Sequence, residues 1–203
     1  MRVLVGCEYS GTVRDAFLAL GHDAMSCDLL PTDVPGPHYQ GDVRDVLGDG
    51  WDLAVLHPEC TYLCNSGVRW LSTDITRWPK MIEAATFFRD LLNAPIPRVA
   101  VENPIMHGYA AKIIGQRQTQ VVQPWMFGHP EKKATGLWLR GLPPLVATDD
   151  VRDVMATLPK SETDRIHYAS PGPDRWKLRS TTFVGIARAM AEQWGAHLEE
   201  VAA

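Results

Sequence analysis

The sequence has no basic surplus. Its 203 residues hold 20 Lys and Arg against 24 Asp and Glu, a formal net charge of −4. Proteins that bind nucleic acid through a broad electrostatic footprint usually show the opposite balance, so any such contact has to come from a local basic face. Long apolar runs are absent too, and nothing approaches the length of a membrane-crossing helix. Cysteine is sparse: Cys7, Cys27, Cys60 and Cys64 are the four. Only the last two lie close together, with no second Cys/His pair at zinc-ligand spacing, which argues against a metal site. The first segment lacks the pattern of a secretory leader, because Arg2-Val3-Leu4-Val5 runs straight into a strand. A reducing cytoplasm, free thiols and no membrane association are expected. No internal repeat, low-complexity tract or linker divides the chain, so residues 1–203 are expected to form one domain.

What is present is an alternation of short apolar runs and helical stretches. Val3-Leu4-Val5 leads into a glycine-bearing loop, Gly6-Cys7-Glu8-Tyr9-Ser10-Gly11. Apolar residues at 13, 16, 17 and 20 then have helical spacing, and Gly21 closes that helix. Strand, glycine loop and helix make the opening unit of a nucleotide-binding α/β fold. Glycine lets the backbone approach a ligand, and the helix start favours polar or anionic groups. A second strand ends at Asp28. An acid about twenty residues after such a loop commonly accepts hydrogen bonds from a ribose; an exposed strand-end aspartate is the alternative. Residues 30–37 form a proline-bearing loop, and Asp42, in Gly41-Asp42-Val43, is a second candidate ligand contact.

The organising stretch is His57-Pro58-Glu59-Cys60-Thr61-Tyr62, directly after the apolar run Trp51-Asp52-Leu53-Ala54-Val55-Leu56. Pro58 fixes its own φ and restricts His57, so the turn is stiff. It lies at the carboxyl edge of a sheet, where open α/β folds bind ligands. Arg98-Val99-Ala100-Val101 is another buried run, ending in Glu102-Asn103-Pro104. Two neighbouring strand ends would then present a thiol and a carboxylate to one crevice. Alone, Cys60 reads sooner as a packing residue than as a nucleophile; with Glu102, Asp28 and Asp42 in order around it, the nucleophile is favoured. Cys64 reads as a loop or packing cysteine. The polar residues 61–67 suit a mobile active-site loop. Residues 79–92 read as a helix. Residues 120–128 and 135–141 form an antiparallel pair at one sheet edge. Residues 142–179 are poorly patterned but carry the clearest basic cluster, Arg165, His167, Arg175, Lys177 and Arg179. Residues 183–194 close the chain as an amphipathic helix.

The order of these motifs resembles the cytosine-5 DNA methyltransferase family, and the chain looks like small phage and prophage proteins of that kind. The family's Phe-x-Gly-x-Gly loop is answered by Gly6-Cys7-Glu8-Tyr9-Ser10-Gly11, its ribose acid by Asp28, and its Gly-Asp by Gly41-Asp42. Its Pro-Pro-Cys-Gln is matched by Pro58-Glu59-Cys60-Thr61, and its Glu-Asn-Val by Glu102-Asn103-Pro104. Its Gly-x-Pro-Gln-x-Arg-x-Arg is echoed by Gly128-His129-Pro130-Glu131-Lys132-Lys133. Its Asn-x-Val-containing last helix is echoed by Ser180-Thr181-Thr182-Phe183-Val184 and the closing helix.

The resemblance implies a Rossmann-like class I methyltransferase domain, an α/β fold with a mostly parallel sheet. It implies S-adenosylmethionine held by residues Gly6, Cys7, Glu8, Tyr9, Ser10 and Gly11, with Asp28, Asp42, Val43 and His57. Cys60 would add to C6 of a cytosine, and Glu102, its pKa raised by burial, would assist at N3 and the exocyclic amine. Pro58, Asn65, Ser66, Asn103, Lys132, Lys133, Arg175, Lys177 and Arg179 would hold the substrate, DNA first. Glu59, Thr61 and the lysines depart from the family pattern. So does the interval 142–179, too short for the family's large target-recognition domain. That leaves open a partner protein that supplies recognition, a free pyrimidine nucleotide as substrate, pyrimidine chemistry without a methyl donor, or a degenerate fold kept as a binding module.

Overall fold

The computed structural model describes residues 1–173 and 175–202, with side chains to residue 196. In chain order its elements are β1 (Arg2–Gly6), α1 (Thr12–Ala19), β2 (Asp23–Asp28), β3 (His38–Gln40), β4 (Leu53–Leu56), α2 (Arg77–Leu92), β5 (Arg98–Pro104), α3 (Gly108–Ile114), β6 (Gln120–Val122) and β7 (Thr135–Arg140). Four short helices come next, α4 (Arg152–Thr157), α5 (Lys160–Thr163), α6 (Arg165–Tyr168) and α7 (Arg175–Ser180), and then α8 (Val184–Ala202).

The continuous apolar runs become central strands because both of their faces are covered. The sheet order is β3-β2-β1-β4-β5-β7-β6. The first five strands are parallel, and β7 runs antiparallel to both β5 and β6. This is a doubly wound Rossmann-like sheet with an antiparallel edge pair. Strand order reverses between β1 and β4, so their carboxyl ends open the crevice in which such folds bind ligands. Alternate residues serve opposite layers. Leu4, Leu56 and Val101 pack with Met81, Phe88 and Trp138 on the α2 side. Val3, Val5 and Ala100 pack with Phe17, Met190 and Trp194 under α1 and α8.

A buried arginine fixes the loop beyond β2. Arg14 is fully buried, and its Nη1 donates to the hydroxyls of Ser26 at 3.0 Å and Thr32 at 3.2 Å. Its Nη2 donates to the carbonyls of Val34 at 3.3 Å and Pro35 at 3.4 Å. Gly36 makes room: a Cβ there would stand 2.6 Å from the guanidinium carbon.

Several boundaries differ from the sequence reading. β5 continues through Glu102 to Pro104, because β7 pairs along its whole length, from Val99 opposite Arg140 to Pro104 opposite Thr135. α2 begins at Arg77 rather than 79, and α3 has no counterpart in the sequence reading. Residues 61–67 are no free loop, since a 3-10 helical stretch (Asn65–Leu71) begins within them. Past β6, residues Pro124–Met126 form a tight helical turn. No described helix is long and apolar enough to cross a membrane.

Candidate active site

The turn after β4 is stitched on every side. The His57 N–H donates to the Gly6 carbonyl at 2.9 Å, so the β1–β4 ladder runs one step past the strand. Buried Asn103 donates from Nδ2 to the Pro58 carbonyl at 2.9 Å. That contact holds the Pro58 turn against β5, while Asn103 Oδ1 is buried without a partner. The Cys60 carbonyl accepts from the N–H groups of Leu63 at 3.0 Å and Cys64 at 3.1 Å. Asn65 N–H donates to Ile105 at 3.0 Å, and His107 N–H to Leu63 at 3.1 Å. His107 Nδ1 accepts from Ala110 N–H at 3.2 Å, which leaves the proton on Nε2 to reach the Tyr62 carbonyl at 2.9 Å. The segment expected to be a mobile loop is therefore pinned to the chain that leaves β5.

Cys60 lies in the turn after β4, and Glu102 lies within the neighbouring β5, one residue past Val101, where the pairing with β4 ends. Glu102 has a partner that the sequence reading places elsewhere. Glu102 Oε2 lies 3.1 Å from His57 Nδ1, so His57 is paired with the carboxylate. His57 Nε2 is buried without a partner. Burial pushes the Glu102 carboxyl up, but the His57 hydrogen bond and the charges of His57 and Lys133 outweigh it and hold the group below the usual glutamate range. The expected rise does not occur; Glu102 is an anion. Lys133, one of the expected substrate contacts, shares a pocket with Glu102, and burial pushes its pKa down against the pull of Glu102 and Cys60. Its Nζ donates to the Thr181 carbonyl at 3.2 Å. Glu102, Lys133, Thr135, Thr182, Phe183 and Ile186 line a small pocket here.

Cys64 lies one turn from Cys60, its N–H donating to the Cys60 carbonyl at 3.1 Å. The neighbouring Cys64 thiol, then burial, then the charges of Glu102 and Glu59 push the Cys60 thiol up. The neighbouring Cys60 thiol lowers Cys64 to about 5, against burial and with help from the Ser66 hydroxyl. Exposed Ser66 has its Oγ 3.1 Å from Cys64 Sγ.

The loop after β1 has the strained backbone of a close-approach turn. Cys7 has φ 57° and Gly11 φ 74°, both left-handed. A Cβ on Gly6 would meet Leu56 at 2.5 Å and Val43 at 2.7 Å, so buried Val43 packs against the start of the loop. Glu8 Oε1 accepts from Ser10 Oγ and from Val13 N–H, each at 2.9 Å, while Oε2 is buried and unpartnered. Asp28 Oδ1 accepts from Leu30 N–H at 2.9 Å. Arg44 grips Asp42 through its side chain and N–H and holds that carboxyl low. Burial, then Asp28, Cys27 and Asp42 raise the Cys7 thiol, which marks an acid-lined mouth at the ends of β1 and β2.

The basic cluster scatters. Arg175 donates to the Ala169 carbonyl at 2.8 Å, and Lys177 reaches Asp33 at 3.2 Å. Lys132 faces Asp164 at 3.8 Å. These three do not meet at the site; Arg179 does, close enough to depress Lys133. α7 instead lies on the β1 loop, with Trp176 5.3 Å from the Tyr9 ring and Ser180 Oγ 3.2 Å from its hydroxyl. Among the described residues, no three His, Cys, Asp or Glu side chains come together to hold a metal.

Glu102 has a measurable pH signature. A carboxyl held low in the folded state contributes stability above its unfolded pKa and loses it as pH falls through the folded value. Between about pH 7 and about pH 3, the stability of the wild type relative to Glu102→Gln should therefore fall. Urea midpoints at both pH values read this; a gap that stays constant or widens on acidification contradicts the ionised pairing.

No protein-family profile matches the chain, and no curated protein matches it. Among solved structures, it is similar to a protein described as a DNA modification methyltransferase encoded within an E. coli prophage. The TM-score is 0.46 at 14% identity, over 68% of this chain and 46% of that one. WbdD, solved with the kinase inhibitor LY294002, gives a TM-score of 0.38 at 12% identity, over 72% and 37%. The chain thus spans less than half the length of either. Likenesses this distant do not bear on activity, and the site alone has to carry the function.

Proposed function

We propose that the protein is an S-adenosylmethionine-dependent methyltransferase acting at C5 of cytosine in DNA, through a covalent Cys60 adduct assisted by Glu102. The observation that carries this reading is the juxtaposition of a cysteine turn and an ionised glutamate on adjacent strand ends, next to the crevice where strand order reverses. The residues around the β1 loop fit the cofactor. An acid-lined mouth suits a sulfonium cation, Asp28 at the end of β2 suits a ribose, and the unpartnered Glu8 Oε2 is an acceptor awaiting a donor. When bound, the cofactor supplies an electrophilic methyl group.

The chain's own residues do the rest. Cytosine C5 is a weak nucleophile until a thiolate adds at C6. The Cys60 sulfur forms the bond to C6, and the C5–C6 electron pair localises on C5. Glu102, as a carboxylate, accepts from the exocyclic amine and orients the ring. Lys133, made more acidic by burial, stands beside it as the proton source for N3. The Cys60 thiol loses its proton to water before it adds; after C5 is methylated its proton leaves to water, the double bond re-forms, Cys60 is expelled as the thiolate, and N3 returns its proton to Lys133. A free pyrimidine nucleotide is the second reading. α7 is spent on the β1 loop, and Arg179 is the cation left beside the pocket for a single phosphate.

The test is methyl transfer from labelled S-adenosylmethionine to duplex DNA, single-stranded DNA, RNA and free nucleotides, each digested for base identification. 5-Methylcytosine from DNA is expected. Label confined to nucleotides selects the second reading, and label on a cytosine amino group, or none, overturns both.

A further inference from the structure

We propose that the face running from the 3-10 helical stretch Asn65–Leu71 to the starts of α2 and α3 is a stacking platform for single-stranded DNA that leads the strand to the Cys60 turn. It rests on the proposed function and confines its substrate to DNA whose bases are already unpaired. Large rings are left in solvent here: Trp70 is 47% exposed and Tyr109 54%. Half-buried Trp78 ties the two together. Its Nε1 donates to the carbonyl of Leu71, the residue after Trp70, at 2.9 Å, and its ring meets Tyr109 edge-on at 5.1 Å. The Trp70 carbonyl accepts from Asp74 N–H at 2.9 Å, which fixes the backbone that carries the exposed indole.

Cations alternate with these rings. The Arg69 guanidinium lies 4.7 Å from the centre of the Trp70 ring, and that of Arg77 lies 4.7 Å from Tyr62. Lys80 Nζ is 5.9 Å from the same Tyr62 ring. Arg77 Nη2 also donates to the Thr61 carbonyl at 3.4 Å, so the row of cations ends against the residue that follows Cys60. Exposed Lys112 stands one turn along α3 from Tyr109. Two acids of the same segments are already engaged. Asp74 Oδ1 accepts from the Thr76 N–H at 3.0 Å and hydroxyl at 2.6 Å, and Glu59 Oε1 accepts from the Thr61 hydroxyl at 2.6 Å.

This is a local basic face in a chain of net charge −4. Its chemistry selects the occupant. Phosphates suit the cations, and base faces suit the exposed rings. A protein interface would be depleted of charge at its centre, whereas here Trp70 and Tyr62 each carry cations. Duplex DNA hides its base faces in its own stack, and an enzyme that works on it must extrude the target base. Nothing in this chain is free to do that: residues 142–179 fold into short helices, and α7 lies on the β1 loop. An unpaired cytosine needs no extrusion.

Fluorescence anisotropy of labelled oligonucleotides, without cofactor, tests the platform. An oligothymidylate of about 12 nucleotides should bind more tightly than a duplex or an abasic strand of the same length. Trp70→Ala should weaken thymidylate binding at least about fivefold, and Trp70→Phe, which keeps a ring, should recover most of that loss. The abasic strand should bind Trp70→Ala and the wild type alike. Arg69→Gln and Lys80→Gln should each lower the slope of log affinity against log salt by about 0.7. Equal affinity for thymidylate and abasic strands, or tighter binding of the duplex, overturns the proposal. So does wild-type affinity in Trp70→Ala with circular dichroism unchanged. A wild type that dimerises where Trp70→Ala stays monomeric gives the face to a second copy of the chain and overturns it as well. Methyl transfer separates the platform from the proposed function. 5-Methylcytosine formed in duplex DNA without single-strand binding removes the platform and leaves that function standing. A protein that binds single strands as expected and methylates nothing removes the function and leaves the platform.

Discussion

The Cys60→Ala protein is expected to fold as the wild type does and to transfer methyl groups at least about 10³-fold more slowly. The two halves of that expectation have different origins. Folding is spared because the turn hangs on main-chain and neighbouring groups: the Cys60 carbonyl holds Leu63 and Cys64, and Asn103 holds Pro58. The side chain itself is only partly buried, so its loss should cost about 1 kcal/mol or less. Rate is not spared, because without a sulfur at C6 no electron pair is placed on C5 for transfer. Binding of S-adenosylmethionine by calorimetry should be unchanged, since the loop from Gly6 to Gly11 and Asp28 lie on β1 and β2. DNA carrying 5-fluorocytosine sharpens the test: C5 then has no proton to lose, so the wild type should remain covalently attached on a denaturing gel and Cys60→Ala should not. A variant that keeps more than about a tenth of wild-type transfer removes the covalent mechanism, however well it folds.

Much of this arrangement is legible in the sequence. The central strands are visible because a strand buried on both faces must be apolar throughout, as at Leu53–Leu56. The neighbouring positions of Cys60 and Glu102 come with them, since each ends such a run. What is hidden depends on contacts across the fold. α3 is seven residues long and starts at a glycine; its N-cap is His107, which sequence rules do not favour there. The short helices of 142–179 have no apolar period of their own. Lys133 sits two residues before β7, outside the paired register, and its place beside Glu102 comes from the pocket that the two share with Thr182, Phe183 and Ile186, a contact across the fold. The rise expected for the Glu102 pKa considers burial alone; His57 and Lys133 reverse the sign. The turn that carries the Cys64 N–H to the Cys60 carbonyl has one visible signal, a spacing of four, which carries no weight while the segment reads as an irregular loop.

Gly185→Ala should be the most damaging small substitution in the chain, costing about 3 kcal/mol. Gly185 is the second residue of α8, and a Cβ there would lie 1.9 Å from the Phe127 carbonyl oxygen and 3.1 Å from His129 Cδ2. Neither neighbour can retreat. Phe127 is buried, its N–H donates to Pro124 at 2.9 Å, and the following Gly128, at φ 83°, donates to Asp149 at 2.8 Å. His129 Nε2 accepts the Gly185 N–H itself at 3.0 Å, and its ring packs 5.1 Å from Phe183. A methyl group must therefore push the start of α8 away, and with it the packing of Ile186, Met190 and Trp194. Roughly 6–12 °C of Tm should go, at 2–4 °C per kcal/mol for a chain of this size. The displacement also reaches the site, because Phe183 and Ile186 share the pocket with Glu102 and Lys133, so transfer should fall at temperatures where the variant is still folded. Gly108→Ala is the control: nothing lies within 4 Å of its Cβ position at the start of α3, and exchanging a helical glycine there should be neutral or stabilising by up to about 1 kcal/mol. If both variants melt with the wild type, α8 is not seated on the Phe127 carbonyl, and the pocket wall it forms has to be redrawn.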